Sequence, residues 1–281
     1  MQKVKNLIVS GYADHPMATD IFLPDMQTKS PVIVYTHGFN GFKDWGNFDL
    51  VAGKFATAGY AFVKFNFSHN GTTPDHLQDF VDLEAFGQNN YTIQLADLQN
   101  VIDWVSAPDN IYAKYFDIDK IYLIGHSMGG GISILAASED SRIKKLVTWA
   151  SISECKTPWG SWDEDRLAAW KLNGVDYTLN SRTKQRMPLY YQLHEDFLQH
   201  EERLNIGKAI QKLHIPILLC HGSKDTSVAV EKAYELHNIQ PSAELFIQET
   251  DHVFGRSHPW PHDYLPRPMD IIVTKTIEWM K

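Results

Sequence analysis

A serine hydroxyl becomes a useful nucleophile only with a base in hydrogen-bond reach and a carboxylate to orient that base. The sequence holds all three residue types at the ends of strand-like runs. Gly125-His126-Ser127-Met128-Gly129 lies between the continuous apolar run Ile121-Tyr122-Leu123-Ile124 and a helix-length segment through Ala137. The string G-x-S-x-G recurs by chance, and it is the strand-to-helix context that gives it meaning. A serine projected from such a turn takes a strained backbone conformation, and the residues two before and two after it must be small because strand and helix approach closely. Gly125 and Gly129 fill those places. Gly130 and Gly131 each cost about 1 kcal/mol against alanine within a helix, which implies close packing or a tight turn there.

In a doubly wound sheet the acid and the base leave the carboxyl ends of later strands, in the order serine, acid, histidine. Asp225 follows Ser127 by 98 residues, in the loop His221-Gly222-Ser223-Lys224-Asp225 after the run Ile217 to Cys220. His252 comes 27 residues further on, in Glu249-Thr250-Asp251-His252-Val253-Phe254-Gly255 after a strand near Glu244 to Gln248. Asp251 and Glu249 are closer in sequence to the histidine, but neighbours on an extended segment point away from each other. Asp225, on a separate loop, is the preferred acid. The chemistry also needs donors for an oxyanion: the backbone N–H of Met128, next to the serine, and that of Phe39 in Thr36-His37-Gly38-Phe39-Asn40-Gly41. His37 is read as a structural histidine hydrogen-bonded within that loop.

Positioning these residues requires an α/β architecture. Short β-branched and aromatic runs alternate with helix-length segments, the pattern of a mostly parallel sheet covered on both faces. After an amino-terminal pair around Val4 to Val9 and Thr19 to Leu23 come a strand at Val32 to Tyr35, a helix at Asn47 to Ala58 closed by Gly59, and a strand at Tyr60 to Phe67. A helix from Asn90 to Val105 stops before Pro108, and Leu146 to Ala150 is another strand. The rhythm then breaks. From Ser153 to Lys212 the chain is rich in charge and aromatic residues, including Trp159, Trp162, Trp170, Tyr177, Tyr190 and Tyr191, and no continuous apolar strand runs through it. It reads as an insertion over the sheet's edge, whose aromatics either pack it or line a pocket for an acyl or aryl group. Alternation resumes at Ile217 and ends in a helix from Pro268 to Met280. One domain over residues 1–281 with a 153–212 insertion accounts for the length.

Composition removes several function classes. With 26 Lys+Arg against 34 Asp+Glu the formal charge is −8, a poor partner for phosphate backbones or anionic lipid. Two cysteines, Cys155 and Cys220, cannot build a disulfide framework and are read as inert thiols. Leu7-Ile8-Val9 is far shorter than the apolar core of a signal peptide, and no run reaches a membrane span. The expected location is the cytoplasm. Thirteen histidines contain no H-E-x-x-H, and His258 and His262 stand among prolines that preclude a helical pair. Neither a metal nor a nucleotide or other cofactor is expected.

The set His37-Gly38-Phe39, Gly125 to Gly129, Asp225 and Asp251-His252 resembles the α/β-hydrolase superfamily. Within it, the chain is similar to serine esterases related to bacterial cinnamoyl (feruloyl) esterases and to the catalytic domain of prolyl-oligopeptidase-like enzymes. The resemblance implies an eight-stranded, mostly parallel sheet with helices on both faces, a triad of Ser127, Asp225 and His252, oxyanion donors at Phe39 and Met128, and a cap over Ser153 to Lys212. The expected activity is cofactor-independent hydrolysis of a small carboxylic ester through an acyl-enzyme on Ser127. A small-peptide peptidase, a thioesterase and a lactone hydrolase use the same machinery, and a non-catalytic hydrolase-like binding protein is the alternative of another class. The oligomeric state, monomer or homodimer, is left open.

Overall fold

The computed structural model describes residues 1–25 and 29–281. Its strands and helices, in chain order, are β1 (Gln2–Ser10), β2 (Pro16–Leu23), β3 (Ser30–Thr36), α1 (Phe48–Thr57), β4 (Ala61–Phe65), α2 (Leu83–Gln88), α3 (Tyr91–Ser106), β5 (Phe116–His126), α4 (Met128–Glu139) and β6 (Ile143–Trp149). There follow α5 (Glu164–Asn173), β7 (Val175–Leu179), β8 (Arg186–Tyr190), α6 (Gln192–Gln199), α7 (Ile206–Gln211), β9 (Ile217–Gly222), α8 (Glu231–Ile239), β10 (Glu244–Gln248) and α9 (Arg267–Met280). Eight strands form one sheet in the order β1-β2-β4-β3-β5-β6-β9-β10. β2 pairs antiparallel with β1 and β4, and every other neighbour is parallel. No helix among the described residues is long and apolar enough to cross a membrane.

The continuous apolar runs of the central strands follow from burial on both faces. Alternate residues Val32, Val34, Leu123, Leu146 and Leu219 face a core completed by α3, α4 and α7. Ile33, Tyr35, Ile124, Val147 and Leu218 face the opposite core, built with Phe48, Val51 and Phe55 of α1 and Met269, Ile272 and Val273 of α9. With strand direction so fixed, the loops after β3, β5, β9 and β10 leave one edge of the sheet together.

Between β6 and β9 the structure departs from the sequence reading. β7 and β8 form a two-stranded antiparallel hairpin of their own, detached from the main sheet. β7 is exposed or half-buried along its length and, among the described residues, pairs only with β8, so it carries no continuous apolar run to reveal it. The aromatics of this stretch bury one another: the Trp170 ring lies 5.2 Å from Trp162, 5.2 Å from Tyr191 and 6.0 Å from Trp159, and its indole N–H donates to the Leu189 carbonyl. α7, by contrast, packs on α4, with Ile206 against Gly131. The last residues of the 153–212 stretch therefore belong to the helical layer on the sheet.

Candidate active site

Ser127 occupies the one-residue turn between β5 and α4 with φ 57° and ψ −123°, a conformation that costs a non-glycine residue on the order of 1–3 kcal/mol. The surroundings hold it there. Its N–H donates to the Trp149 carbonyl at 2.9 Å, and its own carbonyl accepts from Gly130 at 2.9 Å. A Cβ at Gly125 would strike the Gly129 carbonyl, and one at Gly129 would strike the carbonyls of Thr36 and His37. The two glycines thus let β5, α4 and the loop after β3 meet at contact distance. Gly130 and Gly131 abut Ser151 and Ile206, the close packing that their cost in a helix implied.

Asp225 and His252, from the loops after β9 and β10, come together: His252 Nδ1–H donates to Asp225 Oδ2 at 2.7 Å. The other carboxylate oxygen accepts the Ser227 and Val228 N–H groups at 2.8 and 2.9 Å, and His221 Nε2 stands 3.2 Å from Oδ2. Burial alone would raise this carboxyl. The bonds from His221 and His252 and the neighbouring imidazole charge outweigh it and hold Asp225 well below the usual carboxylate range. The nearer carboxylates point elsewhere: Asp251 is exposed and caps the Gly255 N–H at 2.8 Å, and Glu249 pairs with Lys224 at 2.5 Å.

His126, which spacing alone did not single out, packs on His252. Its Nε2–H donates to the His252 carbonyl at 2.9 Å and its ring lies 4.9 Å from the His252 ring. Burial, then the proximity of His252 and Arg256, drives its basicity well below that of a free imidazole, so it stays a neutral donor. His37 has the same character: Nδ1–H donates to the Gly38 carbonyl, Nε2 accepts from the Phe67 N–H, and burial pushes it down to about 4.

Ser127 and His252 line one cavity of about 450 Å³ with His37, Gly38, Phe39, Asn40, Tyr35, Arg256 and His258. Phe39 lines it as well, and Met128, which does not, opens α4 next to the serine. Among the described residues neither N–H donates to another backbone or side-chain group, which leaves both for a ligand oxygen. The insertion contributes a wall through Leu179, Asn180, Ser181 and Arg182, the turn of the β7–β8 hairpin. The six aromatics named from the sequence do not line this cavity, whereas the hairpin turn does. Leu179 to Arg182 and Arg256 carried no sequence signal beyond their nearness to a turn and to His252.

Among the described residues one acidic trio, Asp20, Asp44 and Asp49, comes close enough to suggest a cation, but Lys5, Lys43 and Lys64 already occupy it. Both cysteines are free and buried, and burial raises both thiols above their ordinary range.

The sequence profile of the family described as alpha/beta hydrolase fold matches residues 31–204. An uncharacterized 31.7 kDa protein from the traX-finO intergenic region of Escherichia coli is 28% identical over 145 residues, 50% of this chain and 46% of that protein. The uncharacterized peptidase YtmA of Bacillus subtilis (strain 168) is 24% identical over 168 residues, 58% of this chain and 55% of that protein. The chain thus spans about half the length of the curated relatives it matches. Among solved structures, the esterase domain of a Rhodothermus marinus protein superposes with a TM-score of 0.66 at 18% identity, covering 99% of this chain and 98% of that one.

Proposed function

The chain belongs to the α/β-hydrolase-fold family, and from that premise we propose that it is a serine hydrolase of small carboxylic esters. The observation that carries this reading is the 2.7 Å bond from His252 to Asp225, beside a strained Ser127 in a shared cavity. Ser127 Oγ attacks the ester carbonyl while His252 Nε2 takes its proton. Asp225 keeps the proton on Nδ1, so Nε2 is free to act as base, and it stabilises the imidazolium that forms. The Phe39 and Met128 N–H groups receive the oxyanion, a contribution typically worth about 10²–10³ in rate for one donor. His252 then returns the proton to the leaving alcohol, and water clears the acyl-enzyme by the same route. The part of the 153–212 stretch that precedes α7 acts as the cap of a single domain, and its hairpin turn limits what can approach the serine.

The test is a screen over acyl and alkyl chain lengths, with hydroxycinnamoyl esters and aminoacyl amides included. The reading expects turnover of esters, a rapid initial release of alcohol, and kcat/KM for amides lower by about 100-fold or more. Preferential cleavage of aminoacyl amides would make the chain a peptidase. Turnover of neither class would leave the thioesterase, the lactone hydrolase and the binding-protein alternatives.

A further inference from the structure

Four residues past His252, the same loop turns Arg256 into the cavity wall. The side chain is 5% exposed, its guanidinium lies 4.5 Å from the Phe48 ring centroid and 5.4 Å from that of Trp45, and Nε–H donates to the Val253 carbonyl at 2.7 Å. Nη1 and Nη2 are buried and have no partner among the described residues. The Tyr35 hydroxyl and Asn40 Oδ1, from two other residues of the same cavity, are likewise buried without a partner among the described residues. The protein's other buried cations are treated differently: Lys43 and Lys64 each meet Asp20, at 2.9 and 3.2 Å. A buried charge without a partner and a buried donor left unmet both destabilise a fold. Burial pushes Arg256 down to about 10, with only Tyr35 and the exposed Asp251 opposing it.

We propose that Arg256, with Tyr35 beside it, is a carboxylate-binding subsite for the leaving-group half of the substrate. This deepens the serine-hydrolase reading and rests on it. A guanidinium offers a planar fork that matches the two oxygens of a carboxylate, and one fixed positive charge balances one negative charge. The Tyr35 hydroxyl adds a third donor, and Asn40 Oδ1 an acceptor for a hydroxyl on the ligand. The side of the scissile bond follows from proton transfer. His252 must hand its proton to the departing oxygen, so the leaving group lies against the loop that His252 begins. Val253, Arg256, Ser257 and His258 continue that loop along the cavity. The substrate class is then an ester of a hydroxy acid, bound through the acid's free carboxylate.

Matched acetates test it: 4-acetoxybenzoate against the neutral 4-acetoxybenzamide, with phenyl 4-carboxybenzoate against phenyl benzoate to place the charge on the acyl side instead. The parent should favour the leaving-group carboxylate over its amide by about 30-fold in kcat/KM, mainly through KM, within the range of a charged hydrogen bond. Arg256→Gln should cut that ratio about 30-fold and Arg256→Lys should restore part of it. A purely structural arginine would lower both acetates alike and leave the ratio unmoved. Equal turnover of the two acetates by the parent, a ratio insensitive to Arg256→Gln, or a preference for the acyl-side carboxylate overturns the proposal. Calorimetry of 4-hydroxybenzoate on Ser127→Ala separates it from the hydrolase reading. If no ester is cleaved, the hydrolase reading fails, and the subsite stands only if that acid still binds and Arg256→Gln in the same background abolishes binding. Lack of binding to Ser127→Ala overturns the subsite whatever the esters do.

Discussion

The two sides of the cavity differ in how their polar atoms are satisfied. On the His252 side Asp225 accepts from His252, Ser227 and Val228, and His126 fixes the His252 backbone. On the Tyr35–Arg256 side four buried polar atoms, Tyr35 Oη, Asn40 Oδ1 and both Arg256 Nη, have no partner among the described residues. A group that must keep one geometry through a reaction gains from internal pairing, because reorganisation at that moment is avoided. A group whose partner arrives with the substrate stays unpaired in the free protein, and its discrimination is correspondingly large. The proposed roles, positioning and recognition, are thus divided between the two walls.

Breaking the paired side should have the largest effects. Ser127→Ala should lower kcat for 4-nitrophenyl acetate by roughly 10⁵-fold, and hydrolysis at the parental rate would remove the serine from the mechanism. Asp225→Asn should cost about 10⁴-fold, while Asp251→Asn stays within about 3-fold. The reverse pattern in the same steady-state assay would transfer the acid's role to Asp251.

Stability against pH probes a third paired group. His37 takes a proton only near pH 4 when folded and near 6.5 when free, so acid favours the unfolded chain between these values. Its contribution is fully present above about pH 6.5 and lost as the pH falls to about 4, on the order of 3 kcal/mol in all. Urea unfolding across this window should show a shallower decline for His37→Gln, and an unchanged slope would rule out a buried neutral imidazole. The smallest effect belongs to the unpaired side. Tyr35→Phe removes a hydroxyl that no protein group meets, so its unfolding free energy should match or exceed the parent's within about 1 kcal/mol. A loss above about 2 kcal/mol would mean that the hydroxyl is paired within the protein.

The sheet could be read in advance because its central strands are buried on both faces and its helices break at glycine or proline, as at Gly59 and Pro108. The places of Ser127, Asp225 and His252 on three turns at one sheet edge followed from the same alternation. The rest depended on long-range contacts. Trp159, Trp162, Trp170 and Tyr191 look alike in sequence whether they line a pocket or pack together, and only the fold places them in one cluster. The β7–β8 hairpin was hidden because neither strand pairs with the main sheet. Arg256 had no signal of its own, since its burial depends on Phe48 and Trp45, some 200 residues earlier in the chain.

Ser127 as the attacking nucleophile is the centre of this account, and its covalent capture tests that most directly. After treatment with a fluorophosphonate, peptide mass mapping should find a single phosphonyl adduct on Ser127, and Ser127→Ala should take up none. An adduct on another residue, or a parent protein that stays unlabelled while it hydrolyses esters, would contradict it.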